Sequence, residues 1–182
     1  MAELQVGERA PDFSLPNQAG QMVQLRDFRG KPVLLIFLRH LGCLPCREHV
    51  LELLQHVETL EQLGVQVVTI SFSAGHWAEG WRQETGSPFP LLLDPERQSY
   101  QAYRLRSSRL RTWGPNVLWR YVQLLWKGER LRPKQGDPHQ LGGDFIIDAE
   151  GTIVLAHPSH DPVDRPSVAT LLTTLRGLAQ GA

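Results

Sequence analysis

Val33-Leu34-Leu35-Ile36-Phe37-Leu38, followed by Arg39-His40-Leu41-Gly42 and then Cys43-Leu44-Pro45-Cys46-Arg47-Glu48, decides the reading of this chain. Six consecutive apolar residues rich in β-formers predict a central strand covered on both faces of a sheet. Beyond the cysteines, Val50, Leu53, Leu54, Val57, Leu60 and Leu63 recur at helical spacing, which predicts a helix over 46–63. Cys43 and Cys46, the only cysteines of the chain, therefore fall at a strand-to-helix junction. A sulfur there meets unpaired N–H groups and the positive end of the helix dipole, and both favour the thiolate. Thiolate is the reactive form, so the junction points to redox chemistry or to soft-metal binding.

Size and composition narrow the classes. The 182 residues suit one domain, 1–182, with a substantial core, and the 41% hydrophobic and 21% charged shares are those of a soluble globular protein. Lys plus Arg equals Asp plus Glu at 19 each, so composition implies no broad field for nucleic acid or membrane. Two cysteines cannot staple a secreted chain of this length. The start, Met1-Ala2-Glu3-Leu4-Gln5-Val6-Gly7, lacks the basic and apolar regions of a signal peptide, and no run is long enough to span a membrane. The expected location is the cytoplasm.

Outward from the central strand, Phe13-Ser14-Leu15, a turn at Asn17-Gln18-Ala19-Gly20 and Met22-Val23-Gln24-Leu25 read as an N-terminal β-hairpin. Residues 65–71 form a second core strand, 76–85 a helix and 89–93 a short strand. Asp94-Pro95 starts a helix running through 103. Asp144-Phe145-Ile146-Ile147-Asp148, a turn at 149–151 and Thr152-Ile153-Val154-Leu155-Ala156 make a plain hairpin. A last helix begins near Asp164-Arg165-Pro166. The order β-α-β-α-β-α-ββα predicts an α/β fold, a mixed central sheet with helices on both faces. Residues 105–143 depart from that plan. There Gly114-Pro115 opens a helix through 127, expected to pack its apolar stripe on the core, and a polar loop follows to 143.

Taken in order, the segments Gly7-Glu8-Arg9-Ala10-Pro11-Asp12-Phe13-Ser14-Leu15, Leu25-Arg26-Asp27-Phe28-Arg29-Gly30-Lys31-Pro32-Val33, Ser71-Phe72-Ser73, Phe89-Pro90-Leu91-Leu92-Leu93-Asp94 and Gly143-Asp144-Phe145-Ile146-Ile147-Asp148 resemble the peroxiredoxins of the AhpC/TSA superfamily. The likeness is to the peroxiredoxin-like branch with Cys-x-x-Cys, runs almost end to end, and implies a thioredoxin-like fold in which 105–143 is an insertion. The family's Pro-x-x-x-Thr-x-x-Cys pattern places its peroxide-reducing cysteine at Cys46. Cys43 stands where Thr is expected, and Arg39 where Pro is. A thiol is a weaker hydrogen-bonding group than the hydroxyl it replaces. The family's active-site arginine, just before the last helix, falls on Arg165.

The resemblance implies a thiol antioxidant protein that reduces hydrogen or organic peroxides. Cys46 would be the peroxidatic thiol, Cys43 the resolving thiol and Arg165 the electrostatic stabiliser, with no organic cofactor and no metal. A dithiol such as a thioredoxin would regenerate it, and a homodimer is the family-level expectation. This assignment requires Arg165 beside the pair and a route from Cys46 to solvent. Arg39 and Arg47 add positive charge nearby or face solvent. Trp113, Trp119 and Trp126 are candidates for an apolar approach to the site for a bulky substrate. Asp12 and Glu48 read as structural partners or surface charges, and His157 and His160 as residues of a loop after the last strand.

Other readings stand beside this one. A thioredoxin-type thiol–disulfide oxidoreductase would attack with Cys43. Against it, Gly42 stands where such enzymes carry Trp, and Leu141-Gly142-Gly143-Asp144 lacks the proline that docks their substrates. A redox-responsive thioredoxin-fold protein without turnover is the third reading. His40, Cys43, Cys46 and His49 also have the residue types of a zinc site, although a core of this size needs no metal to fold.

Overall fold

The computed structural model describes residues 2–73, 75–112, 114–129 and 137–180. Its elements are β1 (Ser14–Pro16), β2 (Met22–Gln24), a 3-10 turn (Leu25–Phe28), β3 (Val33–Phe37), α1 (Leu44–Leu54), α2 (Val57–Gln62), β4 (Gln66–Ser71), α3 (Gly75–Thr85), β5 (Leu91–Leu93), α4 (Gln98–Ala102), α5 (Arg109–Thr112), α6 (Pro115–Trp126), β6 (Gly143–Ile147), β7 (Ile153–Pro158) and α7 (Val168–Gln180). The main sheet has the order β5-β4-β3-β6-β7, with β3, β4 and β5 parallel and β6 antiparallel to both β3 and β7. The N-terminal hairpin, β1 with β2, is a separate two-stranded sheet.

Strand β3 is central because its side chains are apolar on both faces. Leu34 and Ile36, with Leu38 just beyond the strand, pack with Val50 and Leu53 of α1, Trp81 of α3 and Leu171 and Leu175 of α7. Val33, Leu35 and Phe37 point the other way, to Tyr100, Tyr103, Phe145 and the N-terminal hairpin. Each fully buried Leu, Ile or Phe is worth about 1.5–3 kcal/mol. That burial fixes the register, since a slip of one residue would exchange the two faces. The C-terminal end of β3 opens directly onto the two cysteines.

Several boundaries depart from the sequence-based expectation. The helix over 46–63 is two helices, with Gln55 and His56 bonding back three residues to Glu52 and Leu53 in a tightened turn. The apolar spacing continues through this break, so the pattern conceals it. Asp94 does not cap a helix starting at Pro95. Its carboxylate accepts the N–H groups of Gln98 and Ser99, at 3.0 and 2.8 Å, and α4 begins only there. The last helix starts at Val168, where the Ser167 hydroxyl accepts the Thr170 N–H at 3.1 Å. Asp164-Arg165-Pro166 therefore stays outside the helix, and Arg165 is free to reach back under the sheet.

Helix α6 forms at the expected place, with Gly114 at its cap and Pro115 in its first turn. It does not bury its whole apolar surface. Val117 and Leu124 face inward, whereas Leu118, Trp119, Leu125 and Trp126 are exposed. Helix α6 is pinned to α1 through Glu48, which accepts from Arg120 at 2.7 Å and Lys127 at 3.4 Å. Part of the loop expected over 128–143, residues 130–136, lies outside the described residues.

Candidate active site around Cys43 and Cys46

Cys43 is the N-cap of α1, and Cys46 sits one turn inside it. Their Cα atoms are 5.4 Å apart and the sulfurs face each other at disulfide distance. The Cys43 sulfur also accepts the Cys46 N–H at 3.4 Å, which satisfies one of the unpaired donors of the helix start. The loop carrying Cys43 is held from behind. The Cys43 N–H reaches the His40 carbonyl at 2.9 Å, and the Leu41 N–H reaches the Ser73 hydroxyl at 3.1 Å.

The requirement that Arg165 stand beside the pair is met. One guanidinium nitrogen, Nη2, lies 3.7 Å from Cys46 Sγ and donates to the Phe37 carbonyl at 2.8 Å. The other, Nη1, binds Asp144 Oδ2 at 2.8 Å. Asp144 Oδ1 in turn meets His49 Nε2 at 3.0 Å, so that α1, β6 and the segment before α7 are tied at one buried carboxylate. Burial by itself would raise the Asp144 carboxyl. The Arg165 guanidinium and then His49 outweigh it, and hold that carboxyl well below the usual range. Asp144 is thus an anion buried with partners on both oxygens.

The requirement for a route to solvent is not met in this disulfide state. Cys46 is 3% exposed and Cys43 1%, both within the apolar cluster of Leu38, Leu41, Val50 and Val168. Both sulfurs face one another within that cluster, at the first turn of α1. Entry of a substrate requires that turn or its cover to shift. Beside the pair, Tyr121 of α6 lays its phenol against the Arg39 guanidinium and the Leu44 backbone. Burial raises the Tyr121 hydroxyl, and Arg39 opposes the rise.

Arg39 does not face solvent. Its guanidinium is buried, with Nε donating to the Gln140 carbonyl at 3.1 Å, Nη2 to the Pro138 carbonyl, and Nη1 standing 3.8 Å from Cys43 Sγ. Each sulfur consequently has its own arginine, Arg39 at Cys43 and Arg165 at Cys46. Arg47 turns away to Glu84, at 3.2 Å, and Glu129, at 3.8 Å.

Other candidates fall elsewhere. His157 lies within β7 and not on a loop, with Nε2 at 2.9 Å from Asp164 Oδ1. His160 follows the strand, and its N–H reaches Asp164 Oδ2 at 2.7 Å while its ring meets Arg111 at 3.2 Å. These contacts order the segment that delivers Arg165. His49 is committed to Asp144, and among the described residues no group of three or more His, Cys, Asp and Glu is disposed to hold a metal. Asp12 is an exposed partner of Arg26 at 3.6 Å. Trp119 and Trp126 meet edge-to-face on the exposed surface of α6. Trp113 lies outside the described residues.

Sequence reasoning passed over Asp144 and Gly142 and weighed His49 only as a ligand. Gly142 is a requirement of close approach: a Cβ there would overlap the Phe37 carbonyl and come within 2.6 Å of Arg165 Nη2. Asp144 left a readable trace, a carboxylate as the second residue of a strand whose other residues are apolar or glycine. Such a residue, when buried, needs a cation.

Similarity to known proteins agrees with this geometry. Peroxiredoxin-like 2C of Homo sapiens is 28% identical over 155 residues, covering 80% of this chain and 69% of that protein. Peroxiredoxin Bcp of Escherichia coli is 33% identical over 98 residues, 54% of this chain and 63% of that protein. The crystal structure of peroxidoxin BcpB from Mycobacterium tuberculosis superposes with a TM-score of 0.72 at 17% identity, covering 97% and 99% of the two chains, a likeness of fold. No helix among the described residues is long and apolar enough to cross a membrane. The profile of the AhpC/TSA family matches residues 6–156, and with the thioredoxin-like sheet and its Cys43–Cys46 junction already in place, the chain belongs to that family.

Proposed function

We propose that this protein is a thiol-dependent peroxidase with Cys46 as peroxidatic residue, Cys43 as resolving residue and Arg165 as electrostatic stabiliser. The observation that carries the reading is the placement of the Arg165 guanidinium against Cys46 Sγ by a buried, ionised Asp144. In the reduced enzyme, once the turn that buries Cys46 has opened to admit peroxide, the Cys46 thiolate attacks one oxygen of the peroxide. An S–O bond forms, the O–O bond breaks, and the departing hydroxide or alkoxide takes up a proton. The Arg165 donors face the negative charge as it moves from sulfur to the leaving oxygen. Cys43 then attacks the sulfenic sulfur, expelling hydroxide and closing the disulfide. A dithiol of thioredoxin type returns the pair to two thiols and leaves as a disulfide. The reaction belongs in a reducing compartment such as the cytoplasm, and the family-level assembly is a homodimer.

A second reading has one observation in its favour. Cys43 at the N-cap, receiving the Cys46 N–H, is also the arrangement of an attacking thiol in a disulfide reductase. Peroxide-dependent sulfenic acid trapping separates the two. The peroxidase reading predicts labelling in the Cys43→Ser protein and none in the Cys46→Ser protein. Fast reduction of insulin disulfides without any sulfenic acid would overturn it in favour of the reductase.

A further inference from the structure

Arg39 and Arg165 are both buried beside a cysteine, yet only one of them has a carboxylate. Arg165 is neutralised by Asp144 at 2.8 Å. Arg39 makes no ion pair with a described carboxylate. Its neighbours are the Gln140 and Pro138 carbonyls, the Tyr121 phenol and Cys43 Sγ. Asp137, the nearest acid to act on it, spends its carboxylate on Arg97 at 2.8 Å. Burial accordingly lowers Arg39 from its ordinary value, and Arg165 adds to the strain of like charge. A guanidinium taken out of water in this way lacks an anion.

We propose that the missing anion is the Cys43 thiolate, which Arg39 holds once the Cys46 thiolate has become a neutral sulfenic acid, since two thiolates at disulfide distance repel and the freshly reduced pair carries one charge. Two donors already address that sulfur, Arg39 Nη1 at 3.8 Å and the Cys46 N–H at 3.4 Å. The other charged or titratable groups around Cys43 are Cys46 itself, Asp144 from β6, held by Arg165 and by His49 from α1, Tyr121 from α6, whose hydroxyl burial raises, and the buried His40, whose ring precedes Cys43 by three residues.

The consequence for catalysis rests on the peroxidase reading. A resolving residue that is already ionised need not lose a proton before it attacks. The Cys43 sulfur lone pair forms the S–S bond to Cys46, the S–O bond of the sulfenic acid breaks, and hydroxide leaves and is protonated to water. Rapid closure limits the time in which a second peroxide can carry Cys46 on to the sulfinic acid. Arg39 would thus set the rate of closure, as Arg165 sets the rate of attack.

The ionisation can be measured without peroxide, which keeps its failure distinct from failure of the peroxidase assignment. In the Cys46→Ser protein Cys43 is the only thiol, and its thiolate absorbance can be followed through a pH titration without any reagent entering the site. The expected midpoint lies below about 7, against roughly 8.5 for an ordinary thiol. Adding Arg39→Gln should raise it by about one unit or more, and Arg39→Lys should recover part of the shift. A midpoint at or above the ordinary value in the Cys46→Ser protein overturns the proposal, even if the Arg39 variants fail to fold. So does a midpoint that Arg39→Gln leaves unchanged. A low midpoint that Arg39→Gln raises, in a protein that forms no sulfenic acid, would uphold Arg39 as the counter-ion and refute only the peroxidase.

Discussion

Arg165 touches Cys46 and Asp144 with the two nitrogens of one guanidinium, at 3.7 Å and 2.8 Å. The carboxylate therefore fixes the cation that stands against the sulfur. Because Asp144 Oδ1 is also bound by His49, the arginine cannot swing away without leaving a buried anion half-paired.

Arg165→Gln should lower the rate of Cys46 oxidation by peroxide about 10²–10³-fold, the usual loss when one aligned donor to a developing oxyanion is removed. Because it also strips a buried anion of its counter-charge, it should destabilise the fold by about 3–5 kcal/mol. Chemical denaturation and single-turnover oxidation of the same preparations separate the two effects. Full oxidation rates in a folded variant would remove Arg165 from the chemistry.

Acid should weaken the protein through Asp144. Its folded carboxyl is depressed below the unfolded value of about 3.9, so the stabilisation is fully present above that value and drains away as pH falls below it. Asp144→Asn removes this linkage. Melting temperatures should then fall less steeply from pH 5 to pH 3 than in the unaltered protein, from a lower starting stability. Parallel acid slopes in the two proteins would contradict the assignment of an ionised Asp144.

Gly142→Ala should act at a distance from its own backbone. The added methyl meets the Phe37 carbonyl and the Arg165 guanidinium, so overpacking should cost about 1–3 kcal/mol and displace the arginine from Cys46. Peroxide reactivity should fall toward that of Arg165→Gln. Retained reactivity would mean that the arginine has room to spare.

The tryptophans of α6 should be silent in the chemistry. Trp119 and Trp126 are 57% and 80% exposed on the outer side of the helix. Trp119→Ala and Trp126→Ala should each change stability by less than about 0.5 kcal/mol and leave the ratio of organic-peroxide to hydrogen-peroxide rates unaltered. A changed ratio would restore them to the substrate path.

The sheet and the cysteine junction could be read from sequence because the evidence is local. Val33–Phe37 is apolar at every position, short and rich in β-formers, as a strand covered on both faces is. Arg165 was found through family resemblance, since nothing in Asp164-Arg165-Pro166 by itself says where the side chain goes. The Asp144–His49 contact spans 95 positions along the chain, and no periodicity reports such a pairing. Helix α6 shows a different limit. Its apolar residues occupy two sides, Val117 and Leu124 on one, Leu118 and Trp126 on the other. Which side is buried is set by how α6 packs against α1, where Glu48 meets Arg120 and Lys127, a tertiary fact. The burial of the sulfurs is likewise tertiary, because the apolar residues around them, among them Leu38, Leu41, Val50 and Val168, come from separate parts of the chain.

The most direct test mixes fully reduced protein with peroxide in a stopped-flow instrument and follows tryptophan fluorescence. The account predicts an oxidation phase whose rate rises linearly with peroxide, survives in Cys43→Ser and vanishes in Cys46→Ser. A reduced protein that shows no peroxide-dependent phase, or one that persists without Cys46, would contradict it.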